Sequence, residues 1–201
     1  MGVDANPRDL VQSWTPERRG VYDSIPSVPA TREKILDAIA QAAYASLGSY
    51  GNCCRSVLWA IQTHLRNEEA STLRASAVLA GGIVGTGKTC GAVIGGLMGI
   101  GQSLASEDFR DSASYGLANA AAKGFADRFA EKFGDTDCYD VQRTVMGWCC
   151  DDDSKAAKWM AEGGLRACAA VVAESARLAA GIILDTQAEA SLSAADQPTQ
   201  E

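Results

Sequence analysis

From Thr89 to Ser106 the chain carries no charged residue, and within that run glycines recur at 91, 95 and 99. On a helix this spacing sets them along one face. Glycine costs about 1 kcal/mol relative to alanine inside a helix, so a stripe of it needs a packing reason, namely another backbone coming close. The run therefore predicts a buried central helix, with Cys90 at its amino end. A glycine-rich loop (Gly81, Gly82, Gly85, Gly87) precedes it, and Gly82 to Lys88-Thr89 spells G-x-x-x-x-G-K-[ST]. A phosphate-binding loop of that form turns from a buried strand into a helix and presents its N–H groups to phosphates. Here the preceding Leu73–Ala80 is rich in alanine and poor in β-branched residues. No later apolar strand ends in an aspartate. A P-loop nucleotidase is disfavoured, and the loop reads as the lead-in to a packed helix.

The remaining periodicity is also helical. Thr31 starts a helix with Ile35, Ile39, Ala42 and Leu47 on one face, and Ser46–Asn52 breaks it. A second helix begins near Cys53, with Val57, Ile61 and Leu65 in register, and a shorter one covers 69–80. Phe109, Ala113, Leu117, Ala121, Phe125, Phe129 and Phe133 recur every fourth residue between Asp108 and Gly134, a core stripe that drifts round its helix. Further helices are expected over Cys138–Gly147, from the Asp151–Ser154 cap to Met160, and from Gly163-Gly164 towards Ile183. The expected fold is all-α, a compact bundle of about eight helices around the Gly-rich one, over residues 31–184. Residues 1–30, with Pro7, Pro16, Pro26 and Pro29, read as an extended arm, and 185–201 as a flexible tail.

Composition narrows the function. Net charge is −7 and the isoelectric point is about 4.8, which argues against nucleic acid and anionic membranes as partners. No cationic segment followed by an apolar core marks a secretory signal. The longest uncharged run is shorter than the roughly 20 residues of a spanning helix. The expectation is a cytoplasmic protein without membrane insertion.

Seven cysteines stand at 53, 54, 90, 138, 149, 150 and 168, against a single histidine, His64. In a reducing compartment so many thiols point to metal binding or redox work, and an odd number sits poorly with a disulfide framework. His64 reads as a solvated helix residue rather than a ligand. Cys53 follows Gly51-Asn52, Cys90 follows Gly87-Lys-Thr89, Cys138 follows Asp137, and Cys168 lies within about a turn of Gly163-Gly164. All four fall in or near the first turn of separate helices, where unpaired N–H groups and the positive dipole end stabilise a thiolate. The same groups stabilise an anionic iron–sulfur cluster, whose sulfurs accept N–H bonds. Buried cysteines packing as small hydrophobes are the alternative.

Asn52-Cys53-x-x-Ser56-Val57-Leu58, then Gly81-Gly82…Gly87…Cys90-Gly91-Ala92-Val93-Ile94-Gly95, Phe133-Gly134…Cys138, and Cys168 with Val171 and Ala179-Ala180 resemble the redox-active family known by its C_GCAxxG_C_C cysteine pattern, over about residues 33–181. The resemblance implies a small helical protein with four characteristic cysteines, here Cys53, Cys90, Cys138 and Cys168. It is similar to a domain of split-Soret cytochrome that is associated with an iron–sulfur centre. The chain departs from the pattern in its proline-bearing arm and in Cys54, Cys149 and Cys150. These three are either further ligands, or a resolving thiol, or packing residues, with Cys149 and Cys150 favoured over Cys54 as ligands.

The leading expectation is an iron–sulfur cluster, of undistinguished nuclearity, that takes electrons from a redox partner protein or a small carrier. A metal-free thiol–disulfide oxidoreductase using the same cysteines is the alternative, weakened by the lack of C-x-x-C. A structural zinc module ranks behind both, because its ligands come in closely spaced pairs. The arm and the glycine stripe are compatible with a homodimer.

Overall fold

The computed structural model describes residues 31–195, and the arm expected over 1–30 lies outside them. Among the described residues there are eight α-helices and no strand, as the periodicity predicts. They are α1 (Arg32–Tyr50), α2 (Cys53–Leu65), α3 (Ala70–Ala75), α4 (Gly91–Leu104), α5 (Ser112–Phe133), α6 (Cys138–Met146), α7 (Ala156–Ala161) and α8 (Gly164–Ala195).

The glycine stripe is where the fold is tightest. A Cβ on Gly95 would lie 2.5 Å from the Cys54 carbonyl oxygen and 2.9 Å from the Val57 Cβ, and one on Gly99 would lie 2.9 Å from Ile61 Cδ1. Helix α4 thus lays its glycine face on the backbone of α2. Gly96, a quarter-turn round, makes room for the Phe125 ring of α5. On the remaining side Ser175 of α8 donates to the Ala92 carbonyl at 2.8 Å, in full burial. The stripe is therefore occupied inside one chain and does not argue for a second copy.

Helix α8 runs antiparallel to α1 along a seam in which Ala40 and Ala43 of α1, and Ala169, Ala173, Ala176 and Ala180 of α8, are buried. Charged pairs flank it. Arg32 donates to both carboxylate oxygens of Asp185 (2.9 and 2.7 Å), and Arg177 reaches Asp37 at 2.6 Å and Glu33 at 2.5 Å. By length and composition Gly164–Ser193 could cross a membrane, yet 67% of its apolar window is buried in the fold, as in a core helix.

Two expectations need correction. Phe109, placed at the head of the phenylalanine row, lies before α5 and is fully exposed at 106%, and Leu117 is also exposed. The start of α5 is set by Asp111, whose Oδ1 accepts the Ser114 N–H at 2.9 Å. Only Phe125, Phe129 and Phe133 form the buried row, with ring centroids 6.2 and 4.8 Å apart. The second correction is at the carboxyl end. Helix α8 continues to Ala195, through a segment read as tail. Its alanine, glutamine, glutamate and leucine residues are strong helix formers, and the extension from Gln187 to Ser193 is exposed.

Candidate functional site

The loop before Cys90 explains why its P-loop spelling misleads. Residues 81–85 all have positive φ, from 47° at Val84 to 79° at Gly85, a tight left-handed coil. The N–H groups of Gly85, Gly87 and Lys88 donate to the carbonyls of Ala80, Gly81 and Gly82 (3.2, 3.1 and 3.1 Å). Donors that would cradle a phosphate are thus engaged within the loop. Two β-branched residues, Ile83 (φ 63°) and Val84 (φ 47°), sit in the left-handed region, which costs an L-residue roughly 1–2 kcal/mol. Val84→Asn, which tolerates that region and lies on an exposed tip, is expected to raise stability by about 1 kcal/mol, read as a higher melting temperature. An unchanged or lower one would refute the strain.

The coil delivers the chain to a short antiparallel bridge, Thr89 opposite Asp137. The Cys90 N–H donates to the Thr136 carbonyl and the Cys138 N–H to the Lys88 carbonyl, both at 2.8 Å. These bonds fix the entrances of α4 and α6 side by side. Cys90 is the N-cap of α4, and Cys138 is the first residue of α6. Tyr139 closes the corner by packing its ring on Gly87, where φ is 73° and a Cβ would overlap the ring. Cys53 is the first residue of α2, whose cap Asn52 accepts the Arg55 N–H at 3.0 Å and donates to the Ala77 carbonyl at 2.8 Å. Cys168 is the fifth residue of α8, about a turn past Gly164, where the sequence places it.

Cys53, Cys90, Cys138 and Cys168 line one cavity of about 280 Å³, together with apolar Leu47, Val171 and Val172. The Gln142 side-chain amide donates to the Cys138 sulfur at 3.4 Å. The neighbouring Cys90 thiol first, and the Gln142 amide after it, lower the Cys138 pKa to about 7, while the same pairing and burial push Cys90 up. Burial raises Cys53, partly opposed by the Gly81 N–H, and raises Cys168 strongly.

The three additional cysteines divide. Cys150 joins the cavity, its N–H held at 3.0 Å by the Oε1 of the same Gln142 whose amide reaches Cys138. Cys149, favoured alongside it on sequence grounds, faces away, into a surface depression with Arg143, Trp148 and Lys158. Adjacent side chains on this loop diverge. Cys54 is fully buried against Met98, its sulfur 4.0 Å from the methionine's, and burial pushes it up to about 12. All seven cysteines are free. His64 bonds the Ala60 carbonyl through Nδ1 at 2.9 Å and does not line the cavity.

Residues 51–182 match the family described as "Putative redox-active protein (C_GCAxxG_C_C)". The chain belongs to this family. No curated protein and no solved structure matches it. The structure gives the C_GCAxxG_C_C core, here Cys90-Gly91-Ala92-x-x-Gly95, a physical reading. Gly91 leaves space for the Cys53 sulfur, which a Cβ would overlap. Ala92 offers its carbonyl to Ser175 and lines the cavity, and Gly95 admits the α2 backbone. The motif joins three helices around one sulfur-lined space. Sequence reasoning missed Gln142, although it lies one helical turn from Cys138, the spacing at which side chains meet. It also missed Trp159, which lines the same cavity and announces itself by no motif.

Proposed function

We propose that Cys53, Cys90, Cys138 and Cys168 hold an iron–sulfur cluster in this cavity, and that the protein exchanges electrons through it with a redox partner protein or small carrier. The observation that carries the reading is convergence: cysteines at or near the heads of four different helices line one space of about 280 Å³. The donor set is all sulfur, as such clusters use, and backbone and amide N–H groups bear on it. The Trp159 Nε1–H, buried with no acceptor among the described residues, lies in the same lining and suits an acceptor held there. Among the described residues no three His, Cys, Asp or Glu side chains gather as for a single metal ion. When bound, the cluster would supply a reversible store for one electron. The protein's part is to keep water out with Leu47, Val171 and Val172 and to set the charge balance through its N–H donors. Seven free thiols suit a reducing compartment such as the cytoplasm.

A second reading rests on the Cys90–Cys138 contact. A pair of neighbouring thiols lining one cavity, with one member lowered to about 7, has the form of a dithiol couple. Its oxidation would join the two sulfurs, release two protons and pass two electrons to a disulfide acceptor.

Anaerobic reconstitution with iron and sulfide separates the two. The wild type is expected to take up both and gain visible charge-transfer absorption. Alanine at position 53, 90, 138 or 168 should remove most of it, and Cys54→Ala or Cys149→Ala should leave it. A wild type that binds neither iron nor sulfide, yet titrates as a two-electron couple lost in Cys90→Ala, would replace the cluster reading with the dithiol one.

A further inference from the structure

Trp148 precedes α7 and Trp159 lies within it, and the two differ in one respect. The Trp148 indole N–H donates to Glu162 Oε2 at 3.0 Å, and Lys158 sits over its ring at 4.6 Å. The Trp159 Nε1 is buried without a partner among the described residues. A buried donor left unpaired costs about 1–3 kcal/mol, so its placement calls for an acceptor. The ring lines the thiol cavity, and its position is built in. It lies on Gly164, the first residue of α8, where a Cβ would overlap the indole at Cε2, Cδ2 and Nε1. Gly163, with φ of 84°, makes the turn that brings α8 beneath it. Glycines at the head of α8 thus seat an indole whose one polar atom has no acceptor among the described residues, in a cavity that five cysteines line together with Tyr139, Gln142 and Asp153.

We propose that Trp159 is a positioning and tuning residue of this site: its indole N–H donates a hydrogen bond to a sulfur of the centre held by the four cysteines. The inference rests on the cluster reading above. On reduction the centre gains one electron, with no bond made or broken, and so one negative charge. An N–H aimed at its sulfur stabilises that extra charge and raises the potential. The oxidised form is stabilised less, so removal of the donor shifts the couple downward.

The test uses the full chain, reconstituted anaerobically, as wild type, Trp159→Phe and Trp148→Phe. Iron and sulfide content is measured first, then the midpoint potential by titration with dithionite as electron donor. Trp159→Phe is expected to load as the wild type does and to show a lower midpoint potential, with Trp148→Phe unchanged. Full loading with an unshifted Trp159→Phe potential overturns the proposal. A wild type that loads no iron or sulfide overturns the cluster reading itself, and this inference with it. Should only Trp159→Phe fail to load, the wild-type indole N–H proton resonances decide. One of the four tryptophans must then shift on loading and again on reduction, and four unmoved resonances refute the bond.

Discussion

Gly95→Ala is expected to destabilise the fold by about 2–3 kcal/mol, the upper part of the range for overpacking a well-filled interior. A methyl group is small, and on an ordinary helix it would gain about 1 kcal/mol over glycine. At position 95, however, the atoms it meets are the Cys54 carbonyl at 2.5 Å and the Val57 Cβ at 2.9 Å. Neither is the free end of a flexible side chain. Relief requires α2 and α4 to move apart, and α2 carries Cys53 at its head, so the thiol cavity should open as well. Gly124→Ala is the matched control. It lies in the middle of α5 with nothing within 4 Å of its Cβ position, and is expected to stabilise by about 0.5–1 kcal/mol. Urea denaturation of both variants measures the contrast, and equal midpoints would mean that α2 and α4 are not in backbone contact.

In metal-free, reduced protein Cys138 should be alkylated ahead of Cys53, Cys90 and Cys168 at neutral pH. With its pKa lowered to about 7 by the Cys90 thiol and the Gln142 amide, it is roughly half thiolate at pH 7, against about three hundredths for an ordinary thiol. Its reaction with iodoacetamide should therefore rise with pH, pass its midpoint near 7 and level off above, while Cys54, pushed up to about 12, stays inert across that range. In Cys90→Ala the largest lowering cause is removed, so the midpoint moves to higher pH and the rate at pH 7 falls. Peptide mass spectrometry resolves each cysteine. A Cys138 rate still climbing through pH 9 in the wild type would show that the thiol pair is not formed.

The helices were legible because their signals are local. The Asn52 cap, the Gly134 and Gly147 stops and the glycine stripe each act within a turn or two, and the boundaries of α2, α4 and α6 follow from them. The four cysteines were legible as a set, through helix starts and the family pattern. Their shared cavity depends on tertiary packing that no local signal encodes. The separation of Cys149 from Cys150 was hidden for a related reason: it is decided by Gln142, eight residues away, holding the Cys150 N–H. Phe109 was misplaced because a four-residue period runs on past the aspartate that begins the helix. Trp159 could not be read, since its meaning lies in an atom left without a partner.

The bridge between Thr89 and Asp137 carries a consequence for sequence change. The bonds that align Cys90 with Cys138 are made by main-chain atoms of Lys88, Cys90, Thr136 and Cys138. Mutational drift at Lys88, Thr89, Thr136 and Asp137 can therefore proceed with little cost to the alignment, provided proline is not placed at 90 or 138. Divergent members of the lineage should preserve the spacing of these two sulfurs long after the residues beside them have ceased to look alike.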